Sequence, residues 1–182
     1  MIYTIGHSNH EWVNFISILK DNHVDVVADV RRYPGSRVCP QFNNERMIME
    51  LKKENLSYIH IEKIGGRRKQ STRSRYDDNN SGWRNEGFRA YADYMATTPF
   101  REGISEVLSL MTNYKNLAVM CSEAVPWRCH RRMIADYLIL VEGISVFNII
   151  GSKQQPEPHQ LTSFAHLTDS KTTIIYPEKL NK

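Results

Sequence analysis

Between residues 121 and 131 the chain reads Cys-Ser-Glu-Ala-Val-Pro-Trp-Arg-Cys-His-Arg, which brings two thiols, a carboxylate, an imidazole and two guanidinium groups into eleven residues. Thiolates are nucleophiles and metal ligands, so this composition suits chemistry better than packing. Cys121 alone, at the end of the apolar run 117–120, reads as a small core residue. Cys129 alters that reading. It is flanked by Arg128, His130, Arg131 and Arg132 where a helix is expected to open with Arg128 or Cys129, and both the helix dipole and nearby positive charge favour a thiolate. The same features suit an anion held at a helix N-terminus.

Three chemistries fit the segment. In the first, Cys121 or Cys129 is a nucleophile, with His130 or His7 as base and Glu123 as acid or orienting group. In the second, Cys121, Cys129 and a histidine such as His7 hold a metal ion. The Cys-x7-Cys-His spacing matches none of the short Cys-x2-Cys zinc patterns, so no metal is favoured and no cofactor is required. In the third, the two cysteines form a regulatory disulfide, which needs their α-carbons within about 6 Å. A tyrosine-phosphatase loop is set aside because Cys121 lies seven residues before Arg128 and the intervening glycines are missing.

Other polar residues sit where strands are expected to end. His7 and Ser8 follow the apolar run 2–5, and either pocket or helix-cap duty explains them. Asp29 and Arg31 follow a valine-rich run, Asp29 as a catalytic and Arg31 as a substrate-binding candidate, and the two can equally satisfy each other. Gly65, Gly66 and Arg67 open a long irregular stretch, 62–85, with Arg67, Arg68, Lys69, Arg73 and Arg75 clustered inside it. Trp83 and Arg84 close that stretch and are expected at the pocket. Phe88, Tyr91 and Tyr94 instead fit the inner stripe of a helix.

The elements that must position these residues alternate. Strands are expected at 2–5, 23–30, 56–61, 117–120 and 144–150, with helices at 11–21, from Asn43 or Asn44 through Leu51, 86–96, 99–113 and from residue 128 or 129 to Gly143. That order predicts an α/β fold: a mostly parallel five-stranded sheet with helices on both faces, in Rossmann-like or flavodoxin-like layering. Ligands of such sheets bind beyond the carboxyl ends of the strands, which would gather the separated segments on one rim. One domain is expected over residues 1–182, with 151–182 as a C-terminal extension packed on it or trailing from it, and a short terminal strand within 170–176.

The bulk composition sets outer limits. With 41% hydrophobic and 24% charged residues the chain has the makings of a globular core. A net charge of +4 permits an anionic small molecule or nucleic acid as partner. Three cysteines and an opening without a secretory pattern point to the cytoplasm, and no apolar run is long enough for a membrane span, so no membrane role is expected. Oligomeric state is not legible.

Tyr3-Thr4-Ile5-Gly6-His7-Ser8, Asp29-Val30-Arg31 with 34–37, Gly65-Gly66-Arg67-Arg68, Gly82-Trp83-Arg84-Asn85, Cys121-Ser122-Glu123 and Cys129-His130-Arg131-Arg132 occur here in one order. In that order they resemble the family of domain of unknown function 488 (DUF488), to about His159. The resemblance implies an α/β domain with an enzyme-like site in these loops. It also implies a role for His159 in the segment Glu157-Pro158-His159, while Asn148 stands where family members often carry histidine. The expected function is an enzyme using Cys121, Glu123, Cys129 and His130, with Arg31, Arg67 and Arg131 holding an anionic, nucleotide-like or nucleic-acid substrate. The alternatives are a non-catalytic nucleic-acid-binding module built on 67–75 and Trp83, and a metal-binding protein.

Overall fold

The computed structural model of the protein describes residues 1–69, 78–152 and 154–178. Its elements run β1 (Ile2–Gly6), α1 (Trp12–Asp21), β2 (Val26–Asp29), α2 (Asn44–Lys53), β3 (Ser57–His60), α3 (Glu86–Met95), α4 (Thr98–Asn113), β4 (Leu117–Cys121), α5 (Arg131–Leu140), β5 (Val146–Ile149), β6 (Glu157–Pro158), β7 (His166–Leu167) and β8 (Ile174–Ile175). The sheet has six strands in the order β3-β2-β4-β1-β5-β6. β1 to β5 are all parallel, and β6 adds antiparallel to β5.

The connections explain the layering. From β1 to β2 to β3 the chain steps one way across the sheet, and from β3 to β4 to β5 it steps the other way. Crossovers of one hand must then lie on opposite faces. Phe15, Ile18, Leu19, Met47 and Leu51 of α1 and α2 accordingly pack on Tyr3, Ile5, Val27, Ala118 and Met120. Tyr91, Phe100, Ile104, Met133 and Leu138 of α3, α4 and α5 pack on Ile2, Val26, Ala28, Leu117 and Val119. Side chains that alternate along each strand thus feed two separate cores.

Local chemistry fixes the helix starts. The Asn85 side chain accepts from Phe88 N–H and that of Thr97 from Phe100 N–H, which caps α3 and α4. Three expectations need correction. The sheet has a sixth strand, because Pro158 and Glu157 of the polar connection pair with Phe147 and Asn148. The expected terminal strand is two residues long and belongs to a separate hairpin of β7 and β8. The last helix begins at Arg131, because Pro126–Arg128 forms a short 3-10 turn that leaves Cys129 extended at φ −133°.

The residues from Thr162 to Tyr176 pack against α3, α5 and the segment before α3. Tyr176 is fully buried and packs with Trp83 and Phe164, and its N–H donates to Asn79 O while its carbonyl accepts from Gly82 N–H. No helix among the described residues is long and apolar enough to cross a membrane.

Candidate active site

β4 ends in Cys121 beside Gly6, the last residue of β1. The pairing continues past both strands, with His7 N–H donating to Cys121 O and Ser8 N–H to Ser122 O, each at 2.9 Å. Loop 122–124 crosses so near Gly6 that a Cβ there would sit 1.7 Å from the Glu123 carbonyl oxygen. Only glycine permits that approach. The crossing is pinned from below by Arg131, whose Nη1 donates to Glu123 O at 2.5 Å and whose Nη2 donates to Ala124 O at 2.9 Å. Arg131 is fully buried behind the loop that it holds. Its Nε has no acceptor, and it forms no carboxylate ion pair among the described residues.

Asp29 and Arg31 form a second buried unit at the end of β2. Asp29 accepts from Arg31 N–H at 3.0 Å, Nε at 2.9 Å and Nη2 at 2.5 Å, and from the Tyr58 hydroxyl at 2.7 Å. Arg31 Nη2 also donates to Phe42 O, and Nη1 donates to His7 Nε2 at 3.1 Å. His7 Nδ1–H is given to Ser8 O at 2.8 Å, and the ring stacks on Phe42. Burial, helped by the Arg31 charge, lowers the His7 pKa to about 4. Its free lone pair is already engaged by Arg31. Asp29 and His7, both expected as catalytic, are thus both hydrogen-bonded to Arg31.

His130 is positioned differently. It occupies the N-cap of α5 with its ring edge-on to Tyr91, 5.0 Å between centroids. Nε2–H is donated to Val30 O at 3.2 Å, which leaves Nδ1 facing Cys129 Sγ at 3.6 Å and Cys121 Sγ at 3.9 Å. The ring fits because residue 66 is glycine: a Cβ there would lie 2.7 Å from His130 Nδ1. Gly65 plays the same part against the backbone of Arg32, at 2.8 Å. The two thiols differ in character. The Cys129 S–H, followed by His130 and Arg131, pushes Cys121 well below the ordinary thiol range against the cost of burial. Burial, reinforced by the neighbouring Cys121 sulfur, pushes Cys129 well above it.

These groups floor a cavity of about 460 Å³ beyond the carboxyl ends of β1, β2 and β4. Of the expected residues, His7, Arg31, Gly66, Arg67, Cys121, Glu123, Cys129 and His130 line it. Ser8, Asp29, Gly65, Trp83, Arg84, Arg131 and His159 do not. Trp83 is enclosed by Phe88, Phe164 and Tyr176, so its ring is a core element. His159 lies in a separate buried network described below, where its Nε2 is 3.0 Å from Asp136. Arg73 and Arg75 of the basic cluster, with Tyr76, lie outside the described residues.

Sequence reasoning missed several wall residues. Phe88 and Tyr91, read as a core stripe, line the cavity in place of Trp83 and Arg84. Tyr91 serves both purposes: it is buried, and its hydroxyl donates to Ile64 O at 2.7 Å, fixing the turn before Gly65-Gly66. Arg32 and Arg128 join Arg67 on the wall, where Glu123 is the carboxylate. Arg32 Nη1 donates to Arg67 O at 3.0 Å, while its buried Nε has no acceptor among the described residues.

A parallel α/β sheet with a buried thiol pair and a histidine beneath an arginine-walled cavity defines the class of site. The chain belongs to the family of domain of unknown function DUF488, whose match covers residues 11–138. No curated protein and no solved structure matches it.

Proposed function

We propose that the protein is a cysteine-dependent enzyme that acts on a small anionic substrate, with Cys121 as nucleophile and His130 Nδ1 as the group that accepts and returns protons. The observation that carries this reading is the placement of both sulfurs and His130 Nδ1 within 4.8 Å of one another on the floor of the cavity. Cys121 has what a nucleophile needs: a thiol whose pKa is lowered by the Cys129 S–H and by positive charge, and a strand end that fixes its direction. His130 has one nitrogen anchored on Val30 O and the other turned to the thiols. Arg32, Arg67 and Arg128 supply the anion-binding wall, and the unsatisfied Arg32 Nε offers a buried donor to a ligand acceptor. Glu123 acts as acid or orienting group from the opposite wall.

Paired alkylation rates test this. Iodoacetate, an anion, is expected to modify Cys121 faster relative to neutral iodoacetamide than it modifies a free thiol. Arg67→Ala with Arg128→Ala should return the ratio to the free-thiol value. Unmodified Cys121 in the folded protein at neutral pH would overturn the reading.

A second reading is favoured by the same three atoms. Two sulfurs and an imidazole nitrogen backed by a backbone carbonyl form a donor set suited to zinc, and all three residues line the cavity. His130 then takes the place expected for His7. Elemental analysis of protein purified without chelator decides it, and metal far below one per chain ends it. The nucleic-acid module is left with less support, because Trp83 is enclosed and no stacking face remains there. It predicts oligonucleotide binding that falls steeply with salt and ignores cysteine substitution.

A further inference from the structure

The nucleophilic reading uses one thiol and leaves the other without a task. Cys129 is buried as deeply as Cys121, lines the same cavity and shares the same histidine, with Nδ1 at 3.6 Å from its sulfur. A second thiol placed only to hydrogen-bond the first could be a serine. Its sulfur is instead within 4.8 Å of the Cys121 sulfur, so a bond of about 2.05 Å requires the two side chains to turn toward each other. Cys129 also sits in an extended residue between the turn Pro126–Arg128 and α5, where its carbonyl accepts from Arg132 N–H at 3.1 Å while its side chain stays free to turn toward Cys121. Its N–H is held only by Pro126 O at 3.0 Å.

We propose that Cys129 is the resolving thiol of a thiol–disulfide exchange begun by Cys121, with a small disulfide carrying carboxylate or other anionic groups as substrate. This rests on the reading of Cys121 as nucleophile and adds the class of bond it attacks. In the first step the Cys121 thiolate forms a bond to one sulfur of the substrate, RSSR, and the RS–SR bond breaks to release RS⁻. In the second, Cys129 attacks the Cys121 sulfur of the mixed disulfide. Its proton passes to His130 Nδ1 and on to the second departing RS⁻. The protein dithiol is oxidised by two electrons, and one disulfide is reduced to two thiols. Arg67 and Arg128 on the cavity wall favour the anionic substrate over a neutral or cationic one. An external dithiol returns the protein to its starting state by the reverse exchange.

The test uses the full chain in a Cys39→Ser background, which removes the half-buried third thiol. Glutathione disulfide serves as the anionic probe and cystamine as the cationic one, each followed by intact-mass spectrometry and peptide mapping. The expected product with glutathione disulfide is a protein lighter by two hydrogens with Cys121 and Cys129 linked, and two free glutathiones released per chain. Cys129→Ser and Cys129→Ala are expected to stop at one glutathionyl group on Cys121. Glutathione disulfide should react faster than cystamine relative to a free thiol, an advantage lost in the Arg67→Ala, Arg128→Ala variant.

If the protein with both thiols retains a stable adduct on Cys121, the resolving role is overturned while Cys121 stands as nucleophile. If Cys121 is untouched by glutathione disulfide, iodoacetate and iodoacetamide alike, both readings fall. If Cys121 is alkylated but ignores both disulfides, the exchange is overturned alone.

Discussion

Two histidines in this fold, one buried and one half-buried, have opposite surroundings. His159 lies with Nε2 at 3.0 Å from Asp136 Oδ1 and Nδ1 at 3.4 Å from the Asn148 amide, which in turn accepts from the Thr4 hydroxyl. Asp136 also accepts from Thr162 N–H, the Thr162 hydroxyl and the Tyr176 hydroxyl. Asp136 is wholly buried, and neither it nor His159 reaches the cavity. His130 has one ring nitrogen anchored and the other turned to two thiols that open on a cavity. A histidine beside a carboxylate is the more familiar sign of chemistry, yet here that pair is the closed one. What separates the two is whether a reactive atom is left facing space a ligand can enter.

That contrast can be broken by substitution, and the greatest effect belongs to the closed cluster. Asp136→Ala strips the acceptor from four buried donors and should destabilise the protein by about 3–5 kcal/mol, read as a lowered denaturation midpoint and early proteolysis within 157–176. Cys121 alkylation in the fraction still folded should keep its rate. A stable variant with altered alkylation would reverse the assignment of the two clusters.

His7 supplies the next largest effect. The folded chain protonates it near pH 4, whereas the unfolded chain does so near 6.5. Between these values the unfolded state binds more protons, so this stability is full above pH 6.5 and declines as pH falls towards 4. The span corresponds to about 3 kcal/mol. His7→Gln, which can still accept from Arg31, should flatten that part of the stability curve; an unchanged slope from chemical denaturation would show that His7 is not the linked group.

Gly66→Ala should cost about 1–3 kcal/mol by overpacking against His130 and should slow Cys121 alkylation, because the ring must move. Smallest in stability is His130→Asn, at about 1 kcal/mol for the lost bond to Val30. Its signature is elsewhere: the pH at which Cys121 becomes reactive should rise. No rise would remove His130 from the open cluster.

Much of the scaffold was legible because burial writes a simple pattern. Valine-rich runs and apolar stripes located the five parallel strands and their helices, and strand ends located the rim. β6 was not legible, since Glu157 and Pro158 are exposed and pair only because β5 offers them an edge. Within the site, Cys121, Cys129 and His130 stood out by residue type. Their neighbours did not sort correctly. Trp83 looked like a binding residue and Tyr91 like core, but a ring's role depends on which partner covers it, and Phe164 and Tyr176 arrive from far along the chain. His7 and His130 are indistinguishable as letters. Only the carbonyls of Ser8 and Val30 decide which nitrogen each ring presents.

The family match ends at residue 138, inside α5. It leaves out β1, which flanks Cys121, and the Thr162 and Tyr176 anchors that grip Asp136 five residues beyond Arg131. The matched segment therefore lacks contacts that the thiol and α5 make with the rest of the fold. A clone trimmed to 11–138 would lose the strand that frames the Cys121 thiol and the residues that hold Asp136 of α5, the helix that follows Cys129 and His130. Boundaries that retain Ile2 and Tyr176 keep both.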